Sequence, residues 1–182
     1  MFSPSSRFFD ERLERIKLEG KLLRFGLAFA DDSLLGILPD DLVLVGAPSG
    51  VGKTQFCVNV ALANVSEGKR VHFFALEASD LEIERRLKFQ VLMGNFYGDP
   101  NRPRIGKPLL FDEWEIGAYE DVLKPYEEWA EKYCTESYKN LFTFYKTENF
   151  GVEKLIEYVN YVADDTDLII VDHVHYFDWD DS

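Results

Sequence analysis

The sequence predicts an α/β fold built on a mainly parallel sheet, and three observations lead to this prediction. Short apolar runs alternate with helical stretches along most of the chain. The apolar runs carry few polar residues, which is typical of parallel strands that are covered on both faces. A glycine-rich turn, residues 46–52, joins the first apolar run to a helix. Such a turn lies at the edge of the sheet where the strands end, and ligands of open α/β sheets bind at that edge.

The bulk composition indicates one cytoplasmic domain without a membrane span. The 182 residues are 46% hydrophobic and 15% aromatic, which is enough for a sizeable core. No apolar run reaches the roughly 18 residues of a membrane span, and residues 1–10 lack the apolar segment of a signal peptide. The only cysteines, Cys57 and Cys134, are expected to be packing residues in a reducing compartment. A net charge of −13 argues against a nucleic-acid-binding surface spread over the whole chain.

The first third of the chain is predicted to contain two helices and one strand. Residues 8–25 form a charged, amphipathic helix within an N-terminal helical segment, residues 1–33. The first strand is Leu42–Val45. Helix 53–67 follows the glycine-rich turn and ends at Gly68, because glycine accepts the left-handed conformation found at helix C-termini.

The middle of the chain is predicted to contain a strand, a helix and an irregular stretch. The strand covers residues 71–76. Ser79 and Glu82 have the spacing of a capping box, so a helix is expected over residues 80–93. Residues 94–108 hold three glycines and three prolines and are predicted to be irregular.

The last part of the chain completes the alternation after an insertion, residues 94–140. The insertion includes an acidic and aromatic helix, residues 119–138, which Pro125 is expected to kink or split. The elements predicted after it are a strand at 141–145, a helix at 152–163 and a strand at 168–171 that ends at Asp172.

The turn before helix 53–67 has the form of a phosphate-binding loop, [Ala/Gly]-x4-Gly-Lys-Thr, with Ala47 at its first position. Gly50 and Gly52 allow backbone N–H groups to face a phosphate, and the helix adds its positive end. Lys53 supplies charge for the β- and γ-phosphates, and the Thr54 hydroxyl is a ligand for Mg²⁺. The alternative is an ordinary glycine turn. The predicted nucleotide-binding residues here are Pro48, Ser49, Gly50, Val51, Gly52, Lys53, Thr54 and Gln55.

Two carboxylates at strand ends complete the predicted site. Residues 167–172 are an apolar strand that ends in a carboxylate, the Walker B pattern, and Asp172 would hold Mg²⁺ directly or through water. The next residue is His173, so the catalytic base is expected on another strand. Glu77 ends the strand at 71–76 and is positioned to orient or deprotonate a water molecule. The alternative for Glu77 is a solvated residue.

Three further patterns leave alternatives open. His173 and His175 with Asp172 could form a transition-metal site, although residues surrounding a magnesium–nucleotide site are the preferred interpretation. The stretch 111–138 is either a partner-binding lid or, preferably, an ordinary amphipathic insertion. A small basic loop, interpreted as solvated, contains Arg102, Arg104 and Lys107.

Together these segments resemble the RecA-like ATPases, and among them the DnaB-type replicative helicases and the KaiC-type ATPases. Residues 38–54 look like the family's approach to its phosphate-binding loop. Residues 73–79, Phe-Phe-Ala-Leu-Glu-Ala-Ser, look like the strand end that carries the family's catalytic glutamate, which matches Glu77. Residues 168–175 look like the family's Walker B strand, whose metal-site aspartate matches Asp172.

The resemblance covers residues 34–182, except that residues 94–140 match poorly. His175 stands where DnaB-type helicases carry a glutamine that senses the γ-phosphate, so sensing with pH sensitivity is expected. Arg86 falls where these proteins have an arginine near the adenine. In the family a central strand, arginine fingers and DNA-binding loops follow Walker B. The core is therefore expected to be incomplete at its C-terminus, with two badly paired strand edges.

The resemblance implies a three-layer RecA-like P-loop NTPase core that uses ATP and Mg²⁺. It implies a homo-oligomeric, hexameric ring that unwinds DNA or translocates along it during DNA replication. Two alternatives are a KaiC-like regulatory ATPase acting on protein partners, which the acidic charge favours, and a nucleotide-binding scaffold without turnover. The implied catalytic residues are Glu77, Lys53 and His175, and the metal ligands are Thr54 and Asp172.

Overall fold

The structure is a computed structural model that describes residues 17–18, 21–39, 41–147 and 150–174. Within these ranges it contains six α-helices and three strands. No helix in them is long and apolar enough to cross a membrane. The helices are α1 Ala28–Leu34, α2 Lys53–Ser66, α3 Glu82–Gly98, α4 Phe111–Glu115, α5 Glu120–Ser137 and α6 Val152–Val162, which a 3₁₀ turn, Ala163–Asp165, extends; the strands are β1 Val71–Ala75, β2 Leu141–Tyr145 and β3 Leu168–Asp172.

The sheet is parallel, as predicted, and has the strand order β2-β1-β3. Val71 pairs with Leu141 on one side and with Leu168 on the other. At the other end, Ala75 pairs with Tyr145 and Asp172. The carboxyl ends of the three strands therefore lie level, at the edge where the predicted site residues follow them.

Both faces of the sheet are covered by helices, because successive side chains of a strand point to opposite faces. Phe73 and Ala75 pack with residues of α2 and α3 in one core cluster. Phe74 points the other way and packs with Phe150 and with residues of α6, such as Leu155. An α/β architecture with a small parallel sheet is thus present and is consistent with a RecA-like core, whereas the described residues do not confirm the full three-layer P-loop core.

The prediction of a strand at Leu42–Val45 is wrong. The segment has no regular secondary structure, and Leu42 and Leu44 are 97% and 84% exposed. A strand needs a neighbour for its N–H and C=O groups, and none of the three described strands pairs with this segment. The chain therefore reaches the glycine-rich loop without passing through the sheet.

The predicted helix over residues 8–25 does not reach its expected end. Leu23 instead forms an antiparallel bridge with Ile37, and both residues are buried in the core with Phe25. Residues 8–16 lie outside the described part of the chain. The division between residues 1–33 and the rest as separate units stays a prediction.

A buried asparagine holds this N-terminal segment on α2. The side chain of Asn64 is fully buried, and its Oδ1 atom accepts a 2.8 Å hydrogen bond from the Arg24 N–H. Its Nδ2 atom donates to the carbonyl oxygens of Arg24 and Val60, each at 2.8 Å. Both backbone groups of Arg24 are satisfied in this way, which keeps the segment beside the helix.

Helix α3 differs from its predicted bounds at both ends. It begins at Glu82, and the Glu82 carboxylate accepts hydrogen bonds from the N–H and hydroxyl of Ser79, so only the glutamate half of the capping box forms. It then continues to Gly98, through residues predicted to be irregular. Leu92 and Phe96 are buried against α5, and this packing outweighs the poor helix propensity of glycine.

The acidic, aromatic part of the insertion forms two helices, α4 and α5. Helix α5 is continuous from Glu120 to Ser137 and contains Pro125, so the proline does not split it. Leu123 and Ala130 are its buried residues and pack on α3.

Candidate functional site

The structure brings together the two residues predicted as metal ligands. Thr54 is the second residue of α2, and Asp172 is the last residue of β3. The Thr54 hydroxyl donates a 2.8 Å hydrogen bond to Oδ2 of Asp172, although the residues are 118 positions apart. Asp172 is only 6% exposed. Two segments selected by separate sequence motifs therefore meet at one place.

Glu77 lies at the same edge of the sheet. The preceding Leu76 N–H donates a 2.6 Å hydrogen bond to the main-chain carbonyl of Asp172, which fixes the end of β1 beside the end of β3. The Glu77 Oε2 atom is 3.5 Å from Nδ1 of His173, an ion pair only when the imidazole is protonated. The Glu77 side chain is 69% exposed, so water can reach it.

The sequence does not predict the contact between Glu77 and His173, because the contact depends on which strands are neighbours. Ala75 and Asp172 are paired across the sheet, and the two residues follow this pair by two positions and by one position. Residues that leave neighbouring parallel strands at the same level lie close together. The contact can be deduced only once the two strands are known to be neighbours.

The glycine-rich loop has features that suit a phosphate. Gly50 and Gly52 have φ angles of +79° and +94°, a region that side chains with a Cβ rarely adopt. No side chain caps the N-terminus of α2, and its first turn contains no acidic residue. The first N–H groups of the helix therefore have no side-chain acceptor within the described residues, and the positive end of the helix is not neutralised.

Lys53 lies over the loop that precedes it. Its Nζ atom donates hydrogen bonds to the carbonyl oxygens of Ala47 at 2.9 Å and Pro48 at 3.1 Å. These contacts hold the ammonium group at the start of α2, where it adds to the positive end of the helix. The arrangement concentrates positive charge and N–H donors at one loop, as binding of a phosphate group requires.

The oxygen donors of Thr54 and Asp172 suit Mg²⁺ better than a transition metal. Mg²⁺ is held by one or two protein oxygens together with phosphate oxygens and waters. Within the described ranges, no group of three or more His, Cys, Asp or Glu side chains is placed to hold a metal ion. His175, predicted to sense the γ-phosphate and part of the alternative histidine site, lies outside those ranges.

Cys57 shows the low polarity of the region behind the site. It lies one turn after Thr54 on α2 and packs against the core. Burial raises the pKa of the Cys57 thiol from 9.0 to about 12, and the negative charge of Asp172 adds to the increase. The thiol is therefore neutral at physiological pH, as expected for a packing residue.

Arg86, predicted to lie near an adenine, is held by one residue of its own helix and by one aromatic ring of the insertion. Its Nε and Nη2 atoms donate to Oε1 of Glu82, at 3.0 Å and 2.8 Å, and its guanidinium carbon is 4.6 Å from the centroid of the Phe111 ring. One turn further along α3, Gln90 accepts a 3.0 Å hydrogen bond from Gln55 of α2. Neither Phe111 nor Gln90 was expected from the sequence, and the role of Arg86 stays a prediction.

Residues 23–93 match the family model of the DnaB-like helicase C terminal domain. The match confirms the resemblance to the DnaB-type group and associates these residues with helicase-type ATPases. It includes the glycine-rich loop, Glu77 and Arg86, but it ends before Asp172, whose assignment therefore depends on the contact with Thr54. No curated protein matches the chain.

Proposed function

We propose that this chain is a P-loop ATPase core of the DnaB-like helicase type, which binds ATP with Mg²⁺ and hydrolyses it. The observation that carries the proposal is the 2.8 Å contact between Thr54 and Asp172, because it joins the start of α2 to the end of β3 as a magnesium–nucleotide site requires. The family match of residues 23–93 supports the same assignment.

In this proposal each part of the site has one task. The N-terminus of α2 and Lys53 bind the β- and γ-phosphates, and Thr54 and Asp172 hold the metal. When bound, Mg²⁺ supplies positive charge that stabilises the charge developing on the phosphates. Glu77 orients the attacking water and accepts its proton, and its exposure leaves room for that water.

We further propose that ATP turnover is coupled to DNA unwinding or translocation in a hexameric ring, as the family resemblance implies. A second candidate, an ATPase that regulates protein partners, is favoured by the net charge of −13, because tracking along DNA requires a basic channel. DNA-stimulated turnover separates the two. Single-stranded DNA should raise the ATPase rate of a helicase core and leave that of a protein-directed regulator unchanged.

Calorimetric titration with ATP, with and without Mg²⁺, tests the binding site. Lys53→Ala should abolish saturable binding under both conditions, because it removes the charge at the phosphates. Asp172→Asn keeps the acceptor for Thr54 but loses the charge, so it should reduce only the Mg²⁺-dependent affinity, by roughly tenfold or more. Asp164→Asn removes the same charge at an exposed position of the 3₁₀ turn and should behave as the wild type.

A second experiment tests hydrolysis separately from binding. Glu77→Gln should leave ATP affinity within about twofold and lower the turnover rate by about 100-fold or more, the usual contribution of a general base. An unchanged rate would exclude Glu77 as the base. Binding without turnover in the wild type would favour the nucleotide-binding scaffold. If Mg²⁺ did not alter ATP affinity in the wild type, the role of Thr54 and Asp172 would be refuted.

A further inference from the structure

An open groove of about 580 Å³ lies at the opposite end of α3 from Glu82. It is bordered by the last turns of α3, the loop that follows, and the first half of α5. The groove belongs to the insertion, which the family match does not include. None of the residues assigned above to nucleotide or metal lines it.

The apolar part of the groove is rich in aromatic and proline surface. Tyr126 and Trp129 line it together with Val122 and Pro125 of the same helix. Trp129 remains 45% exposed and stacks on Tyr133, with ring centroids 5.0 Å apart and an angle of 17° between the planes. The stack fixes the orientation of the indole without burying it. Exposed, well-oriented tryptophans of this kind are frequent at the centre of protein–protein contacts.

Two carboxylates also line the groove. Asp99 accepts a 2.6 Å hydrogen bond from the Tyr126 hydroxyl, which lowers the pKa of the Asp99 carboxyl and keeps it ionised. Asp121, in the first turn of α5, is exposed. The groove therefore combines aromatic surface with two negative charges, which together suit a cation that can contact a ring face and a carboxylate at the same time.

The surrounding charge is negative as well. Helix α5 carries six acidic and two basic residues. The guanidinium group of Arg102 donates to the carbonyls of Tyr97 and Asp99 and lies 5.6 Å from the Tyr97 ring centroid. Its positive charge also helps to lower the pKa of the Asp99 carboxyl, so it offsets part of the negative charge there. Arg104 and Lys124, each next in sequence to a proline that lines the groove, are exposed and carry positive charge. Approach of a cationic partner is favoured, and that of a nucleic acid is not.

We propose that this groove docks an arginine- or lysine-bearing segment of a partner protein. The cationic head would contact the carboxylates of Asp99 and Asp121 and the indole face of Trp129. The aliphatic stem of the same side chain would lie along Val122 and Pro125. The proposal does not depend on ATP binding.

The test uses the full chain and follows the indole N–H resonances of its three tryptophans by NMR. The probe is a hexapeptide of alternating arginine and glycine, and the matched peptide carries citrulline, which has the same shape but no charge. Trp129→Phe assigns the resonance. We expect the arginine peptide to shift the Trp129 signal saturably, and we expect no shift with citrulline or at Trp114.

Variants then distinguish docking in the groove from non-specific electrostatic attraction between the peptide and the acidic chain. Asp121→Asn should weaken binding about three- to tenfold and Trp129→Ala should abolish it, whereas Trp129→Phe keeps a ring face and should retain part of the affinity. Asp112→Asn removes an equal charge from exposed α4 and should change affinity less than twofold.

Equal weakening by Asp112→Asn and Asp121→Asn would overturn the proposal, because binding would then follow net charge alone. Equal binding of the citrulline peptide, or no shift at Trp129, would overturn it as well. Circular dichroism checks that Trp129→Ala is folded. If it is not, the exposed pair Asp112→Asn and Asp121→Asn still decides the outcome.

Discussion

Alanine substitutions before the glycine-rich loop test whether that segment is part of the folded core. Leu42 is 97% exposed and Leu44 is 84% exposed, so truncating either side chain removes almost no buried surface. We expect Leu42→Ala and Leu44→Ala each to change the free energy of unfolding by less than about 0.5 kcal/mol. In a buried parallel strand, which the sequence predicts here, each substitution would cost about 2–5 kcal/mol.

Urea unfolding followed by circular dichroism measures the difference, with Leu76→Ala as the matched control. Leu76 directly follows β1 and is fully buried, so the same chemical change should cost about 2–5 kcal/mol. With a urea dependence of about 2 kcal/mol per molar, the control should lower the midpoint by about 1–2.5 M. The two exposed variants should stay within about 0.25 M of the wild type.

A loss of stability in Leu42→Ala comparable with that in Leu76→Ala would refute this reasoning, since it would show that the segment is buried in solution. Amide hydrogen exchange gives an independent result. Residues 42–45 belong to no ladder, so their N–H groups should exchange far faster than those of β1.

Two further predictions concern the core that supports the site. Asn64→Ala leaves both backbone groups of Arg24 without their buried partner and should cost about 2–4 kcal/mol of unfolding free energy; a urea midpoint within 0.25 M of the wild type would contradict this. The pKa of the Cys57 thiol is raised to about 12 in the folded chain, so Cys57 contributes stability that is present below pH 9 and is lost as pH rises from 9 towards 12. Between pH 8 and pH 10, the free energy of unfolding should fall by about 1 kcal/mol less in Cys57→Ala than in the wild type. Equal decreases would show that the thiol is not buried.

The sequence was sufficient to predict elements whose formation depends mainly on local composition. The strands at 71–75, 141–145 and 168–172 are runs of apolar, β-branched and aromatic residues, and each was predicted to within one residue. Helix α2 was predicted in the same way, because Gly68 marks the end of the helical stretch.

Elements that depend on distant contacts were not predictable. Leu42–Val45 has the composition of a strand, but a strand forms only where another strand is adjacent, and the sequence of the segment does not contain that information. Helix α3 continues past Gly94 because Phe96 packs on α5, a contact separated from it along the chain by the loop and α4. At Leu42–Val45 the strand propensity lacks a neighbouring strand, whereas at Gly94 tertiary packing outweighs the low helix propensity.

In the candidate site too, features specified by local sequence were predictable and contacts between separate elements were not. Residues within a motif, such as Thr54 and Asp172, are candidates that the motif specifies, and the structure brings these two into contact although the strand predicted before Thr54 does not form. The contacts of Glu77 with His173 and of Arg86 with Phe111 join side chains from separate elements. No sequence pattern indicates such pairs before the arrangement of the elements is known.

Because Leu42–Val45 forms no strand, the segment before the glycine-rich loop cannot hold α2 against the sheet. Thr54 reaches Asp172 although the segment before it lies outside the sheet, so another part of the structure must position α2. The buried face of α2, which includes Val58, Ala61 and Val65, packs in the same cluster as β1. This packing fixes Thr54 beside β3, so the two proposed metal ligands, Thr54 and Asp172, are held together before any metal binds.

The glycine-rich loop has no such support. An added Cβ at Gly50 would meet no atom within 4 Å, and residues 41–52 are all exposed. Among the described residues, the contacts that hold the loop are its connection to the start of α2 and the hydrogen bonds from Lys53 to two loop carbonyls. The proposed phosphate side of the site is therefore expected to become ordered on binding, at an entropic cost that lowers affinity, whereas Thr54 and Asp172, the proposed metal ligands, are already in contact. For this reason Lys53→Ala and Asp172→Asn test physically separate parts of the same site.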